Sequence, residues 1–254
     1  MLGRHRPVVR VIAVGVVGGT IGALSTIAVL TEMAAARHKE WSGKMGCRSR
    51  HFDYRFGLLT YADDRKILPQ ARFVGVEGFE YSWRVEVAPY FLETPLFDTS
   101  KPWTEQTNML VVARDAFRFQ CPVAHSKNPG SLETHVMVIV GPGALFSDDS
   151  PRRWEDVLDS RASTILCAEV YGTQVAWPVP GDLDISRMSF RINDTEQSRP
   201  AIRSLHRGGA IVTFADGSVR FLSDRADPLV VRAMATCVGN EWPFHEQFET
   251  LSGE

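Results

Sequence analysis

The stretch GAIVTFADGSVRFLS, residues 209–223, predicts a β-hairpin, because two apolar, β-prone runs flank the pair Asp216-Gly217. A two-residue type I′ turn at this pair would place residues 212–215 opposite residues 218–221. In that register one face of the hairpin is apolar and packs on the core. The side chains expected on this face are Val212, Phe214, Val219 and Phe221.

Other segments predict the elements around the hairpin. Residues 135–141 (HVMVIVG) and 164–171 (TILCAEVY) are short apolar runs bounded by turn residues, which is typical of buried strands. Residues 81–97 carry aromatic and aliphatic side chains at helical spacing and predict a core helix that Pro89 interrupts or kinks. Residues 227–238 predict a final helix.

The N-terminal part contains 21 consecutive residues without a charge, residues 11–31 (VIAVGVVGGTIGALSTIAVLT). As a helix they would span roughly 31 Å, which matches the hydrocarbon core of a bilayer. We therefore predict a transmembrane helix that contacts lipid through these residues. A cleavable signal peptide is the main alternative, since basic residues come first and the small run 34–36 follows, but its apolar region is normally only about 7 to 15 residues long. A buried soluble helix is the third interpretation.

Four glycines in the span suggest a helix–helix contact. Gly15 and Gly19, and likewise Gly18 and Gly22, lie four residues apart and therefore on one helical face. Such pairs allow a second helix to approach closely in lipid, so self-association is expected, although glycine is also simply tolerated in membrane helices.

Charge and composition divide the chain into two parts. Residues 1–50 hold eight Lys or Arg and two Glu, a net +6, whereas the whole chain has a net charge of -2. The remaining residues therefore carry -8, and the chain lacks the basic excess of a dedicated nucleic-acid binder. Its 44% apolar and 23% charged residues exclude a disordered or collagen-like protein.

The predicted organisation is one domain on one helix. A basic tail (residues 1–10) precedes the span, residues 32–62 form a helical extension or linker, and residues 63–254 form the domain. Three basic residues precede the span and five follow within twenty positions, so the positive-inside count alone favours a cytoplasmic C-terminus. Long domains, however, are translocated largely regardless of charge.

The hairpin also carries a family resemblance. Ser204 to Gly209 (SLHRGG) is followed by Phe214 to Leu222 (FADGSVRFL), so that nine residues separate His206 from Asp216-Gly217. This pattern resembles the C-terminal motif of the bacterial domain of unknown function 1559, also labelled solute-binding-protein-like, whose members resemble prepilins and type II secretion pseudopilins. The motif positions are His206, Gly208, Gly209, Asp216 and Gly217. Further segments come in the family's order, from SWRV at 82–85 to STIL at 163–166.

The resemblance implies a pilin-like α+β fold, in which a long N-terminal transmembrane helix is followed by an antiparallel sheet domain with accessory helices, outside the membrane. The prepilin processing site, a Gly-Phe step with a glutamate shortly after it, has no counterpart here, since Gly3 precedes Arg4 and the span holds no acid. The resemblance therefore does not extend to prepilin processing or to polymerisation through that glutamate.

The sequence offers no pattern for catalysis, a cofactor or a metal. His206 and Asp216 resemble a base and its orienting partner, but the turn alone explains Asp216, so a structural role is predicted for both. The histidines show neither an HExxH pattern nor a Cys/His spacing typical of zinc. The acidic pairs 148–149 and 182/184 are expected to be solvated rather than calcium ligands. Cys47, Cys121, Cys167 and Cys237 are either free buried thiols or disulfide partners.

Two functions follow as expectations. The first is a non-enzymatic, single-pass membrane protein with an extracytoplasmic pseudopilin-like domain, which acts in cell-envelope structure or in a type II secretion or pilus-like assembly, with pseudopilin-like proteins or its own copies as partners. The second is a membrane-anchored extracytoplasmic module that binds a ligand in a cleft between loops.

Overall fold

A computed structural model describes residues 8–92, 97–147, 150–195 and 199–239, and for residues 8–28 it describes the backbone alone. The chain divides into two compact units, Met1–Ser42 and Gly43–Glu254. The fold, core and site described below belong to the second unit.

The longest element is the helix α1, Val8–Arg65, which continues through Gly43 and Gly46. Its C-terminal part is buried along one stripe at a spacing of three or four residues, the repeat of a single helix face. The stripe consists of Cys47, His51, Tyr54, Leu58 and Ala62, each at most 2% exposed. α1 thus supplies one wall of the domain core.

No helix among the residues described is both long and apolar enough to cross a membrane. Most of the predicted span at residues 11–31 lies within residues 8–28, for which only the backbone is described. This part includes Gly15, Gly18, Gly19 and Gly22. The span and its glycine contacts stay predictions.

Within the described residues, eight strands and four further α-helices follow α1. The strands are β1 (Arg72–Val74), β2 (Glu80–Ser82), β3 (Val136–Met137), β4 (Ile139–Val140), β5 (Ile165–Glu169), β6 (Leu183–Asp184), β7 (Gly209–Phe214) and β8 (Val219–Ser223). The helices are α2 (Trp83–Val87), α3 (Gln106–Asp115), α4 (Pro122–Lys127) and α5 (Pro228–Ala235). The main sheet is antiparallel with the order β3-β5-β7-β8, while β1-β2 and β4-β6 form separate pairs. The predicted α+β class with an antiparallel sheet is confirmed.

The hairpin β7-β8 forms where the sequence predicts it, but its register differs from the prediction by one residue. Thr213 pairs with Val219, and the loop has three residues, because the N–H of Phe214 donates to Ser218 and that of Gly217 donates back to Phe214. This is the geometry of a type I turn followed by a left-handed residue, here Gly217 with φ +86°. The predicted two-residue type I′ turn is therefore wrong.

A one-residue shift moves side chains to the opposite face, so the predicted apolar face is split between the two sides of the sheet. Val212 and Phe214 pack with Leu222 in the cluster that includes α5. Val219 and Phe221 lie instead with Ile211, Cys47 and Cys121. Both faces are covered, which explains why all six residues of β7 are buried.

Outside the hairpin the predictions have mixed outcomes. The buried strands expected within 135–141 and 164–171 are present as β3, β4 and β5, and the final helix is present as α5, shorter than expected. The core helix predicted over residues 81–97 is wrong as one element: Tyr81 and Ser82 end β2, α2 stops at Val87, and Pro89 lies in a short 3-10 helix. Residues 93–96 lie outside the described part.

Candidate functional site

The candidate site is a buried group of two thiols, a carboxylate and an imidazole. It consists of Cys47, Cys121, Glu169 and His206, and one potential ligand atom from each lies within 4.8 Å of all the others. None of the four residues is more than 3% exposed. The group sits between α1 and the main sheet, in the core beneath the hairpin.

Each of the four side chains comes from a different segment. Cys47 lies on the buried stripe of α1, and Cys121 lies immediately before α4, where Pro122 opens the helix. Glu169 is the last residue of β5, and His206 lies in the turn that leads into β7. The fold, rather than any local motif, brings them together.

Two contacts of His206 define the centre of the group. Its Nε2 lies 3.6 Å from Sγ of Cys121 and 3.7 Å from Oε1 of Glu169. The backbone N–H of His206 donates to Oγ of Ser204 at 3.0 Å, which fixes the approach of the chain to β7.

Glu169 is held by the backbone on one side only. Its Oε2 accepts a hydrogen bond from the N–H of Ile211 at 3.2 Å, and its carbonyl accepts one from Arg203 at 3.1 Å. Its Oε1 is buried and has no hydrogen-bond partner among the residues described. A buried carboxylate oxygen without a donor is costly, so this atom is where a missing partner would bind.

The buried surroundings shift the protonation of the group. The hydrogen bond from Cys47 lowers the pKa of the Cys121 thiol to about 4, and the same contact raises the pKa of Cys47 well above its ordinary value. Burial, followed by the nearby Cys121, raises the pKa of Glu169 to about 7. These shifts favour the ionised form of the Cys121 thiol and the protonated forms of the Cys47 thiol and the Glu169 carboxyl group.

A second buried imidazole lies one helical turn further along α1. Nδ1 of His51 lies 2.8 Å from Oγ1 of Thr213 on β7, and burial lowers the pKa of His51 to about 3. This contact joins α1 to the sheet through a neutral histidine.

The family-motif residues have separate structural positions. Asp216 lies in the hairpin loop and accepts from the N–H of Ser218 at 2.8 Å, whereas His206 contacts Cys121 and Glu169. The predicted structural role of Asp216 in the turn is consistent with this contact, and His206 lies in the buried group.

The motif glycines are required by the backbone. Gly208 has φ +83°, a conformation that side chains rarely adopt. A Cβ at Gly209 would lie 2.1 Å from the carbonyl oxygen of Leu222, so β8 could not pair with β7 at this distance. At Gly217 a Cβ would lie 3.1 Å from Cδ of Arg55 on α1.

The predicted acidic pairs are only partly described. Residues 148–149 lie outside the described part. Asp182 is not solvated as expected, because its side chain is 3% exposed and pairs with Arg84 at 2.9 Å. Asp184 accepts from the N–H of Ser186 at 2.8 Å at the end of β6.

All four cysteines are buried and free in the structure. Of the two states expected from the sequence, free buried thiols and disulfide partners, the structure thus has the first. Cys167 and Cys237 lie outside the site described above. Sγ of Cys237 lies 3.4 Å from the carbonyl oxygen of Ala144, and burial raises the pKa of Cys167 to about 12. These two thiols therefore lie in the core, apart from the group of Cys47, Cys121, Glu169 and His206.

Spacing rules gave no indication of the site because its members are separated by 74, 48 and 37 positions along the chain. Two weak signals were present: Cys47 begins a buried stripe on α1, and Glu169 is a charged residue within an apolar strand. The absence of a metal, predicted from local spacing, is not tested by the fold.

One family model matches the chain, described as a protein of unknown function (DUF1559), over residues 179–229. The chain thus resembles this family over a segment that includes β6, β7, β8 and residues 206–217. No curated protein matches the chain. No solved structure matches it either.

Proposed function

We propose that the chain is a single-pass membrane protein whose pseudopilin-like domain lies outside the cytoplasm and serves cell-envelope structure or a secretion-like assembly. The observation that carries this proposal is α1, Val8–Arg65, which includes the uncharged residues 11–31 and also contributes its residues 47–62 to the domain core. A helix that joins an apolar N-terminal segment to an antiparallel sheet domain is the arrangement implied by the family resemblance.

Side chains at the end of the proposed span support contact with lipid or with another helix. Val29, Leu30 and Met33 are each more than half exposed, with values of 54%, 55% and 51%. Burial of these groups in a bilayer or against a second helix would remove apolar surface from water. The glycine pairs of the span would permit the close approach of that second helix.

Extraction of membranes tests the anchor. Membranes from cells that express the full chain are washed with sodium carbonate, and the protein is followed by immunoblotting. The wild type is expected to remain with the membrane, whereas the variant Val16→Arg/Ile21→Arg is expected to be released, because each arginine near the centre of a span costs about 2.5 to 3.5 kcal/mol. A wild type that washes off as a soluble monomer would contradict the anchor.

Crosslinking in the same membranes tests assembly. Replacement of Gly15 and Gly19 by Leu should abolish a crosslinked dimer, since leucine prevents close helix approach. The matched control is Ala13→Leu/Val17→Leu, which adds bulk on another part of the helix. Equal crosslinking of both variants and wild type would argue against packing through the glycines.

A ligand-binding function is the second candidate, because an open cleft of about 910 Å³ lies beside β4 and β6. Arg72, Arg152 and Asp184 are among its lining residues. The guanidinium groups of Arg72 and Arg152 suit an anionic ligand, while Asp156, Asp182 and Asp184 line other parts of the cleft. A rise in melting temperature with phosphate or succinate that is lost in Arg152→Gln would support this function, and no rise with either anion would argue against it.

A further inference from the structure

We propose that Cys47, Cys121, Glu169 and His206 bind a structural zinc ion that ties α1 to the main sheet. Zinc takes thiolate, imidazole and carboxylate ligands and prefers four of them in a tetrahedral arrangement. The four side chains supply this set from one compact, buried group.

The interatomic distances within the group agree with a tetrahedral centre. With bonds of about 2.3 Å to sulfur and about 2.0 to 2.1 Å to nitrogen and oxygen, zinc separates S from N by about 3.6 Å and N from O by about 3.4 Å. The structure has 3.6 Å between Sγ of Cys121 and Nε2 of His206, and 3.7 Å between Nε2 and Oε1 of Glu169. No pair exceeds 4.8 Å, whereas zinc holds a sulfur roughly 3.6 to 3.8 Å from a second ligating nitrogen, oxygen or sulfur, so closure onto an ion shortens no pair that contains sulfur by more than about 1.2 Å.

The polar contacts of Glu169 indicate where the ion binds. The Ile211 N–H engages Oε2 and orients the carboxylate, while the buried Oε1 is left without a donor and points towards His206. Orientation of a ligating carboxylate by a backbone hydrogen bond is a common feature of metal sites. A cation at the centre would provide the partner that Oε1 lacks.

The site has no access for substrate, which favours a structural over a catalytic role for the ion. Catalytic zinc keeps one position for water or substrate, whereas structural zinc is surrounded by four protein ligands. Here all four ligands come from the protein and none is more than 3% exposed, so substrate has no access. The ion would therefore contribute to the stability of the folded domain.

Metal analysis of the full-length protein tests the proposal directly. The chain is purified in detergent with a tag that does not bind metals, and zinc is measured by inductively coupled plasma mass spectrometry. We expect about one zinc per chain. Replacement of the zinc by Co²⁺ should produce the intense visible bands of a tetrahedral site together with a thiolate charge-transfer band.

Variants with a matched control distinguish the site from adventitious binding. Cys121→Ser and Glu169→Gln each remove a zinc ligand. They should lower the affinity for zinc by more than the roughly 10- to 100-fold typical when a residue that only hydrogen-bonds to a ligand is replaced. Cys237→Ser is the control, because it removes a buried thiol outside the group and should leave the zinc content unchanged. Glu169→Gln preserves shape and an acceptor for Ile211, so it remains informative even if Cys121→Ser fails to fold.

Two results would each overturn the proposal, and a third would count against a specific site. One is wild-type protein that neither retains zinc nor develops the tetrahedral Co²⁺ spectrum after reduction and reconstitution. The other is a Cys47–Cys121 disulfide that peptide mapping finds in protein isolated from native membranes. Loss of zinc in the Cys237→Ser control to the same extent as in Glu169→Gln would also count against a specific site. None of these outcomes depends on whether the chain spans the membrane.

Discussion

Arg84 and Asp182 form an ion pair inside the core, with 2.9 Å between Nη2 and Oδ1 and side chains 0% and 3% exposed. The pair is embedded in hydrogen bonds. Arg84 also donates to the carbonyl oxygen of Val136 through Nε and Nη2, and Asp182 accepts from the N–H of Val138 at 3.0 Å and from Nε1 of Trp83 at 3.1 Å. This network joins α2 to β3 and to the segment before β6.

Removal of one partner of this pair is predicted to be strongly destabilising. Asp182→Ala leaves the Arg84 guanidinium buried without its counter-charge, which typically costs about 3 to 5 kcal/mol. The control is Glu80→Gln, because Glu80 pairs with Arg72 at 3.0 Å on the surface, where a salt bridge contributes about 0 to 1 kcal/mol. Chemical denaturation of the full chain measures the free energy of unfolding of both variants. Equal losses of stability in Asp182→Ala and Glu80→Gln would show that the buried pair has no special role.

The packing of α1 on the domain predicts a contrast between neighbouring positions of one helix. Leu58 is 0% exposed within the buried stripe, whereas Phe56 is 54% exposed. Leu58→Ala should lower the free energy of unfolding by about 2 to 5 kcal/mol, because it removes buried methyl groups and leaves a cavity. Phe56→Ala should change it by about 0.5 kcal/mol or less. The opposite order of effects would mean that α1 packs through another face.

The hairpin loop predicts a specific sensitivity at Gly217. Gly217→Val should destabilise the domain by about 1 to 3 kcal/mol, since φ is +86° and a β-branched residue is strained there. Gly130→Val is the control, because a Cβ at Gly130 meets nothing within 4 Å. The readout is the melting temperature, and an unchanged value for Gly217→Val would contradict the observed loop geometry.

The carboxylate of Glu133 predicts a dependence of stability on acid pH. Burial alone would raise its pKa, but His135 and the N–H groups of Gln174 and Thr173 more than offset this and lower the pKa to about 2 from 4.5. Because the folded pKa lies below the unfolded one, the stabilisation is fully present above about pH 4.5 and is lost as the pH falls towards 2.

Glu133→Gln isolates this effect from other titrating groups. The difference in unfolding free energy between wild type and variant should shrink as the pH falls from 4.5 towards 2. A difference that stays constant over the whole range would show that the Thr173 and Gln174 contacts do not favour the ionised carboxylate.

Much of the fold follows from local patterns, and the errors have physical causes. Apolar runs predict the strands β3, β4, β5 and β7, because burial on both faces leaves a continuous apolar signal, and the turn residues after β7 predict the partner strand β8. The predicted hairpin register is wrong for two reasons. Ala-Asp-Gly suits a three-residue loop as well as Asp-Gly suits a two-residue turn. In addition, β7 is buried on both faces, so its sequence has no apolar–polar alternation that would distinguish the two registers.

The candidate site could not be predicted from the sequence, for a different reason. Cys47, Cys121, Glu169 and His206 come from four separate segments, and only the packing of α1 against the sheet brings them together. A ligand set without local spacing leaves no recognisable motif in a single sequence. The charge of Glu169 within an apolar strand is one of the two weak signals that point towards it.

The most direct test of the proposed function is the accessibility of the domain to protease in intact cells. Cells that express the full chain with a C-terminal epitope are treated with proteinase K before and after permeabilisation of the cytoplasmic membrane, with a cytoplasmic protein as the internal control. We predict that the epitope is degraded in cells whose cytoplasmic membrane is intact while the control protein survives. Protection of the epitope until that membrane is opened would place the domain in the cytoplasm and contradict the proposal.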